Sequence, residues 1–195
     1  MLLFDMISPV YGLFFQSQEN YYKEVLQKVS KEIEFTEGLT ILDIGCGTGA
    51  LCKAFYDSEM NPTGVDPSKG MLSQAKKKLK DLPIELIHIE PEEKLPFSDK
   101  SFDIVIASYV AHGIQRDERM KLYMEMKRLA KRFVIIHDYN ENRAVLTTII
   151  EWLENGDYFN FIKVAQDEMK EIFANVSKID VGPRAAWYIC RCPKE

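Results

Sequence analysis

The residues best suited to chemistry stand together in Leu42-Asp43-Ile44-Gly45-Cys46-Gly47-Thr48-Gly49-Ala50. Glycines at alternate positions let a backbone turn sharply and pass close to a ligand. Gly45-x-Gly47-x-x-Ala50 also satisfies the dinucleotide-loop pattern, which carries weight only between a strand and a helix. Asp66 follows, an acid able to accept hydrogen bonds from both hydroxyls of a ribose that bears no 2′-phosphate. Its other reading is a cap for the helix after Pro67. Asp43 precedes the first glycine. A carboxylate there repels a pyrophosphate seated at a helix N-terminus and suits an ammonium group. Its other reading is a brace for the loop. A cationic adenosine ligand answers both acids. S-adenosylmethionine has an ammonium, a sulfonium and no phosphate, whereas a nicotinamide or flavin dinucleotide is disfavoured by Asp43.

Methyl transfer from a sulfonium needs alignment and exclusion of water, and a general base when the acceptor is a hydroxyl or amine. Two further segments carry groups for this, Ser108-Tyr109-Val110-Ala111-His112 and His137-Asp138-Tyr139-Asn140. His112 and His137 can act as base, orient an acceptor or simply pack. Tyr109 and Tyr139 can line an acceptor pocket or belong to the core. His88 lies inside a strand and reads as a packed or capped histidine. Cys46, Cys52, Cys190 and Cys192 form no CxxC pair and no metal-ligand spacing. They read as reduced thiols of a cytoplasmic protein, with no metal site.

These residues must be positioned by elements. Helical periodicity runs over Ser17–Ile33, with Ser17 as N-cap, and over Ala50–Glu59, Ser68–Leu79, Asp117–Lys131 and Glu141–Glu154. Short apolar runs at Leu39–Ile44, Pro62–Val65, Ile84–Ile89, Phe102–Ser108 and Phe133–His137 read as strands. Their alternation with helices implies parallel βαβ units. Val176–Val181 and Ala185–Cys192, joined by Gly182-Pro183, read as a hairpin that closes the sheet with antiparallel strands. Ligands of such sheets bind beyond the carboxyl ends of the strands, where the glycine loop and both histidine segments fall. Arg116, Arg119, Lys127, Arg128, Lys131 and Arg132 read as a solvated face, and Met120, Met124 and Met126 as core. Tyr158-Phe159-Asn160-Phe161 reads as an aromatic insertion near an acceptor.

The chain has 195 residues, 46% of them hydrophobic, which suits one globular domain and excludes disorder. Its net charge of −5 gives no push toward nucleic acid or anionic membrane. No run approaches the roughly 18 apolar residues of a membrane span, and Met1–Phe15 makes a poor signal peptide because Asp5 interrupts it and no basic residue precedes it.

Taken together, Leu42–Ala50, Gly64–Leu72 and Glu93–Ser108 resemble successive motifs of the class I S-adenosylmethionine-dependent methyltransferases. Phe4–Phe15 is similar to the lead-in helix of the quinone-biosynthesis-type subgroup. The resemblance implies a Rossmann-like, doubly wound α/β fold with a mostly parallel seven-stranded sheet, an antiparallel terminal hairpin and N-terminal lead-in helices. It implies one domain over 1–195, with a helical cap at 1–35, a cofactor-binding core at 36–140, and a helix, insertion and hairpin at 141–195. Cofactor contacts are implied at Tyr11, Asp43, Gly45, Cys46, Gly47, Gly49, Asp66, Pro67, Met71, Glu92 and Ser108, with His112, Tyr109 and His137 on the chemical side. The chain departs from the subgroup at Pro91, where an acid for the adenine amine is expected; Glu90 or Glu92 can substitute for it, and the Glu92 amide is available for the adenine as well. Gly12 also replaces an acid, and Ala130-Lys-Arg-Phe133 replaces a glycine turn. The expected activity is methylation of a small molecule. The rivals are a non-catalytic cofactor-binding module and a nicotinamide oxidoreductase.

Overall fold

A computed structural model of the chain describes residues 2–90, 94–142 and 157–193. Seven strands form one mixed sheet of order β3-β2-β1-β4-β5-β7-β6. The chain divides into two compact units, Met1–Leu95 and Pro96–Glu195.

The first unit opens with helices α1 (Leu2–Leu13) and α2 (Phe15–Val29). Val25, Leu26 and Val29 form the buried stripe of α2, as their spacing predicts. Its start differs from expectation. The helix begins at Phe15 rather than after Ser17, and its N-cap residue, Phe14, makes no side-chain cap bond. Here the preceding helix, which ends one residue earlier, sets the boundary in place of a capping hydroxyl.

β1 (Thr40–Ile44) leads into α3 (Ala50–Asp57), β2 (Asn61–Asp66) into α4 (Lys69–Lys78), and β3 (Glu85–His88) completes the unit. β1 and β3 both run parallel to β2, with Asp43 beside Gly64 and Asp66 beside His88. A side chain at Gly64 would meet the Cys46 sulfur at 2.8 Å, so the bare backbone there makes room for the loop. Phe15, Cys46, Ala50, Cys52, Leu72 and Leu79 form a buried apolar cluster under the loop.

The second unit contains β4 (Phe102–Ser108), a single 3₁₀ turn (Ala111–Gly113), α5 (Arg116–Leu129), β5 (Ala130–Tyr139), α6 (Tyr158–Ile172), β6 (Asn175–Gly182) and β7 (Ala185–Arg191). β4 and β5 are parallel, and β7 lies antiparallel between β5 and β6, as the hairpin reading expects. Ile104–Ala107 are buried on both faces, in keeping with their unbroken apolar run.

Three expectations change in this unit. β5 starts at Ala130, directly after α5, because Ala130 already has extended backbone and no turn intervenes. The aromatic stretch Tyr158–Phe161 is helical. It is the first turn of α6, whose Tyr158, Phe161, Ile162, Ala165 and Met169 make a buried stripe at helical spacing. Finally, Arg119 is fully buried rather than solvated, and Met124 is 55% exposed rather than core. On α5 the buried face runs through Arg119, Tyr123 and Met126, which turns Met124 outward. The expected helix at 141–154 lies almost wholly outside the described residues, as do Pro91, Glu92 and Glu93.

Candidate functional site

The loop after β1 depends on glycine at three places. Gly45, Gly47 and Gly49 have φ of 76°, 54° and 82°, a region that other L-residues rarely occupy. Gly49 is constrained twice, since a β-carbon there would also lie 2.6 Å from a Leu79 methyl. The amides of Gly45 and Cys46 both donate to the Val65 carbonyl, at 2.8 and 3.1 Å, and tie the loop to β2.

Asp66 is buried, and both its oxygens accept backbone bonds. Oδ2 takes the Gly47 amide at 2.7 Å and Oδ1 the Ser68 amide at 2.8 Å. Asp66 thus braces the glycine loop and the turn into α4, while the side-chain cap of that helix is Ser68. Each oxygen has a second lone pair for a ribose hydroxyl. Burial raises the Asp66 carboxyl above the usual range, and the two amides partly offset that rise.

Asp43 is 1% exposed. Its Oδ2 accepts a bond from the Cys52 thiol at 3.4 Å, while its buried Oδ1 has no partner. Burial pushes its pKa up to about 7, with the Cys52 bond opposing the rise and the Asp66 charge adding to it. A buried carboxylate oxygen without a donor is costly unless something supplies one. A ligand ammonium would satisfy it and a pyrophosphate would not, so the loop residues fit S-adenosylmethionine. Cys46 and Cys52 are buried free thiols whose pKa values are raised. Cys190 and Cys192 are likewise buried and free.

Other expected contacts are placed less directly. Tyr11 lies on α1 and is 39% exposed, and Met71 is buried in the first turn of α4. The Pro67 carbonyl lies 3.1 Å from His88 Nε2, so His88 is a capped histidine as its strand position suggests.

In the second unit Ser108 Oγ lies 3.1 Å from His137 Nδ1. His137 is fully buried, and burial lowers its pKa to about 4, so it is neutral at physiological pH. Tyr109 has a left-handed backbone with φ 55°, and its amide donates to the His137 carbonyl at 2.8 Å. A non-glycine residue in that conformation is strained and is held by its surroundings. The Tyr109 ring packs 4.8 Å from His137 and 5.2 Å from Tyr139, and Tyr139 lies 4.8 Å from His112 and 5.0 Å from Tyr158.

His112 Nδ1 lies 2.7 Å from Asp138 Oδ1. Asp138 is fully buried and also accepts the amides of His112 and Tyr139, at 3.2 and 2.8 Å. Sequence reasoning passed over Asp138, although it stands beside His137 at the end of β5. A second network was also missed. Arg119 grips Glu168 with two bonds of 2.8 and 2.9 Å, reaches Asp157 at 2.9 Å and donates to the Ile114 carbonyl at 2.6 Å. It thereby ties the turn that carries His112 to the start of α6. The only sequence signal was one arginine on the apolar side of α5. Among the described residues no helix is long and apolar enough to cross a membrane, and no acid, cysteine or histidine cluster could hold a metal ion.

Residues 41–132 match the family described as a methyltransferase domain. A methyltransferase of Staphylococcus carnosus whose reaction is uncharacterized is 24% identical over 93% of this chain and 89% of its own length. The ubiquinone/menaquinone biosynthesis C-methyltransferase of Campylobacter jejuni is 30% identical over 67% of this chain, which spans 58% of that enzyme. A solved structure from Methanococcus maripaludis, assigned by inference as an S-adenosyl-L-methionine-dependent methyltransferase, superposes with a TM-score of 0.74 at 18% identity. The alignment covers 98% of this chain and 94% of that one, and shows the shared fold. Glycine loop, sheet order and relatives agree in their likeness to the S-adenosylmethionine-dependent methyltransferases, whose domain matches residues 41–132 of the chain.

Proposed function

We propose that the protein transfers a methyl group from S-adenosylmethionine to a small-molecule acceptor by direct displacement. The observation that carries this reading is the buried, unpartnered Oδ1 of Asp43 within the glycine loop. In this reading Asp43 receives the ligand ammonium, Asp66 the ribose hydroxyls, and Gly45, Cys46, Gly47 and Gly49 present backbone to the ligand. Tyr11, Pro67, Met71, Glu92 and Ser108 complete the contacts. Bound there, S-adenosylmethionine supplies an electrophilic methyl group on a sulfonium.

In the second unit His112 takes the acceptor proton. Asp138 accepts the Nδ1 proton and so directs proton exchange to Nε2. Tyr109 and Tyr139 offer aromatic walls to the acceptor, and neutral His137 supports Tyr109. The negative net charge favours a small acceptor over a nucleic acid.

Calorimetric titration with S-adenosylmethionine, S-adenosylhomocysteine and NAD tests the assignment. Binding of both sulfur compounds and not of NAD is expected. No binding of either sulfur compound at millimolar concentration would refute it. Binding without turnover across a broad panel of acceptors would instead identify a non-catalytic module.

A further inference from the structure

Ser68 stands between two carboxylates. Its amide donates to Asp66 Oδ1 at 2.8 Å and its hydroxyl donates to Asp5 Oδ1 at 2.6 Å. The same hydroxyl accepts the Met71 amide at 3.1 Å and so caps α4. Asp5 takes a second donor, the Gly70 amide, at 2.8 Å. The first amides of a helix have no partners within it. Here two of them, at Gly70 and Met71, are satisfied by Asp5 from α1 and by Ser68. A carboxylate at this end also faces the positive pole of the helix. The bonds from Ser68 and Gly70 hold the Asp5 carboxyl below its ordinary range.

The approach is close enough to exclude a side chain at position 70. A β-carbon on Gly70 would lie 2.9 Å from both Asp5 Cα and Ser8 Oγ. Ser8 in turn donates to the Asp5 carbonyl at 3.0 Å, which fixes the turn of α1 that carries the acid. Among the described residues Asp66 is oriented by two backbone donors, Gly47 and Ser68. One of these belongs to the residue that Asp5 holds.

We propose that Asp5 is a positioning residue for cofactor binding: docking of α1 on the first turn of α4, through Asp5, Ser68 and Gly70, sets the Asp66 carboxylate. The inference rests on the assignment of Asp66 to S-adenosylmethionine made above. Without Asp5 the Gly70 amide loses its acceptor, the Ser68 hydroxyl is free to rotate, and the first turn of α4 loosens around Asp66. By linkage the coupling is mutual, so S-adenosylmethionine holds α1 against α4 as firmly as α1 favours its binding.

The test compares the full chain with Asp5→Ala and Gly70→Ala by calorimetry with S-adenosylmethionine, and follows hydrogen exchange of the α1 amides. Each variant is expected to bind about fivefold more weakly, the worth of one helix cap. S-adenosylmethionine is expected to slow exchange of residues 2–13 in the unmodified protein and to slow it markedly less in Asp5→Ala, where Tyr11 alone links the helix to the ligand. Gly70→Ala guards against a trivial result. Alanine favours helix more than glycine does, so weaker binding by this variant reports displacement of α1 and not melting of α4. Affinities within about twofold of the unmodified protein in both variants, or α1 exchange indifferent to ligand, overturn the inference alone. Failure of the unmodified protein to bind S-adenosylmethionine removes the cofactor assignment itself.

Discussion

Asp66 in the first unit is held by the amides of Gly47 and Ser68, whereas Arg119 in the second is held by the carboxylates of Glu168 and Asp157. Both are buried polar groups that organise a loop. The first relies on backbone donors, which are present whatever the side chain and need only the right chain path. The second relies on charged side chains from separate elements, each of which would be left buried without its partner. The backbone-built site can therefore spend its carboxylate on a ligand. The side-chain network is committed to holding its own elements together.

The largest effect that would break this contrast comes from the network. Arg119→Ala strips Glu168, only 3% exposed at its side chain, of both its close hydrogen bonds and leaves it the longer 3.7 Å pair with half-exposed Arg116. The expected loss of stability in urea unfolding is about 3–5 kcal/mol. Adding Glu168→Gln should recover part of it, because the orphaned charge goes with the substitution. A loss under about 1 kcal/mol would show that water replaces the arginine and that the network is no more than a surface pair.

The same contrast explains what the sequence could reveal. The Leu42–Ala50 loop was legible because its function requires glycine at particular backbone positions, and glycine there is visible as a residue type. Asp66 was legible because it ends a strand at the spacing an adenosine acid needs. Arg119 was misread because no local feature distinguishes an exposed helix arginine from a buried one. Only Glu168, on a helix 49 positions away, decides the matter. α6 was missed for a related reason. Its helical stripe begins at the aromatic Tyr158 and Phe161 and shows only when continued through Ala165 and Met169, with Glu168 among its buried members. Asp5 was counted only as a break in an apolar run, since its partners Ser68 and Gly70 lie in another helix.

Acidity offers an intermediate test, because the two units respond to pH in opposite senses. Asp43 has a folded pKa near 7, above the roughly 3.9 of an unfolded aspartate. The folded state then holds more protons between those values. Its contribution to stability is present below about pH 4 and lost as pH rises through 7, amounting to up to about 4 kcal/mol in the ligand-free protein. His137, with a folded pKa of about 4, behaves in reverse. Its contribution is present above about pH 6.5 and lost as pH falls through 4, up to about 3 kcal/mol. The two slopes oppose each other in the unmodified chain. Asp43→Asn should remove the first and leave a protein that gains stability steadily from pH 4 to 6.5. Unfolding midpoints of this variant that fall as pH rises over that range would contradict the assignment. The same variant should bind S-adenosylmethionine more weakly at pH 8, where the native carboxylate is charged and meets an ammonium group.

The smallest expected effect bears most directly on the difference between the two kinds of site. Asp66→Ala removes the acceptor of the Gly47 and Ser68 amides, which are neutral donors, so no buried charge is orphaned. The stability cost should be about 1–3 kcal/mol, below that of Arg119→Ala. The affinity for S-adenosylmethionine should fall about ten- to a hundredfold, since the loop loses its anchor and the ribose its acid. Arg119→Ala should show the converse, with a large stability loss and ligand affinity preserved in the molecules that remain folded, because no cofactor contact is assigned to Arg119. Calorimetry on both variants at a temperature where each is folded checks the crossing. Asp66→Ala with native affinity would remove the acid from the ribose. Arg119→Ala with affinity lost in step with Asp66→Ala would show that the side-chain network of the second unit sets the cofactor loop as well.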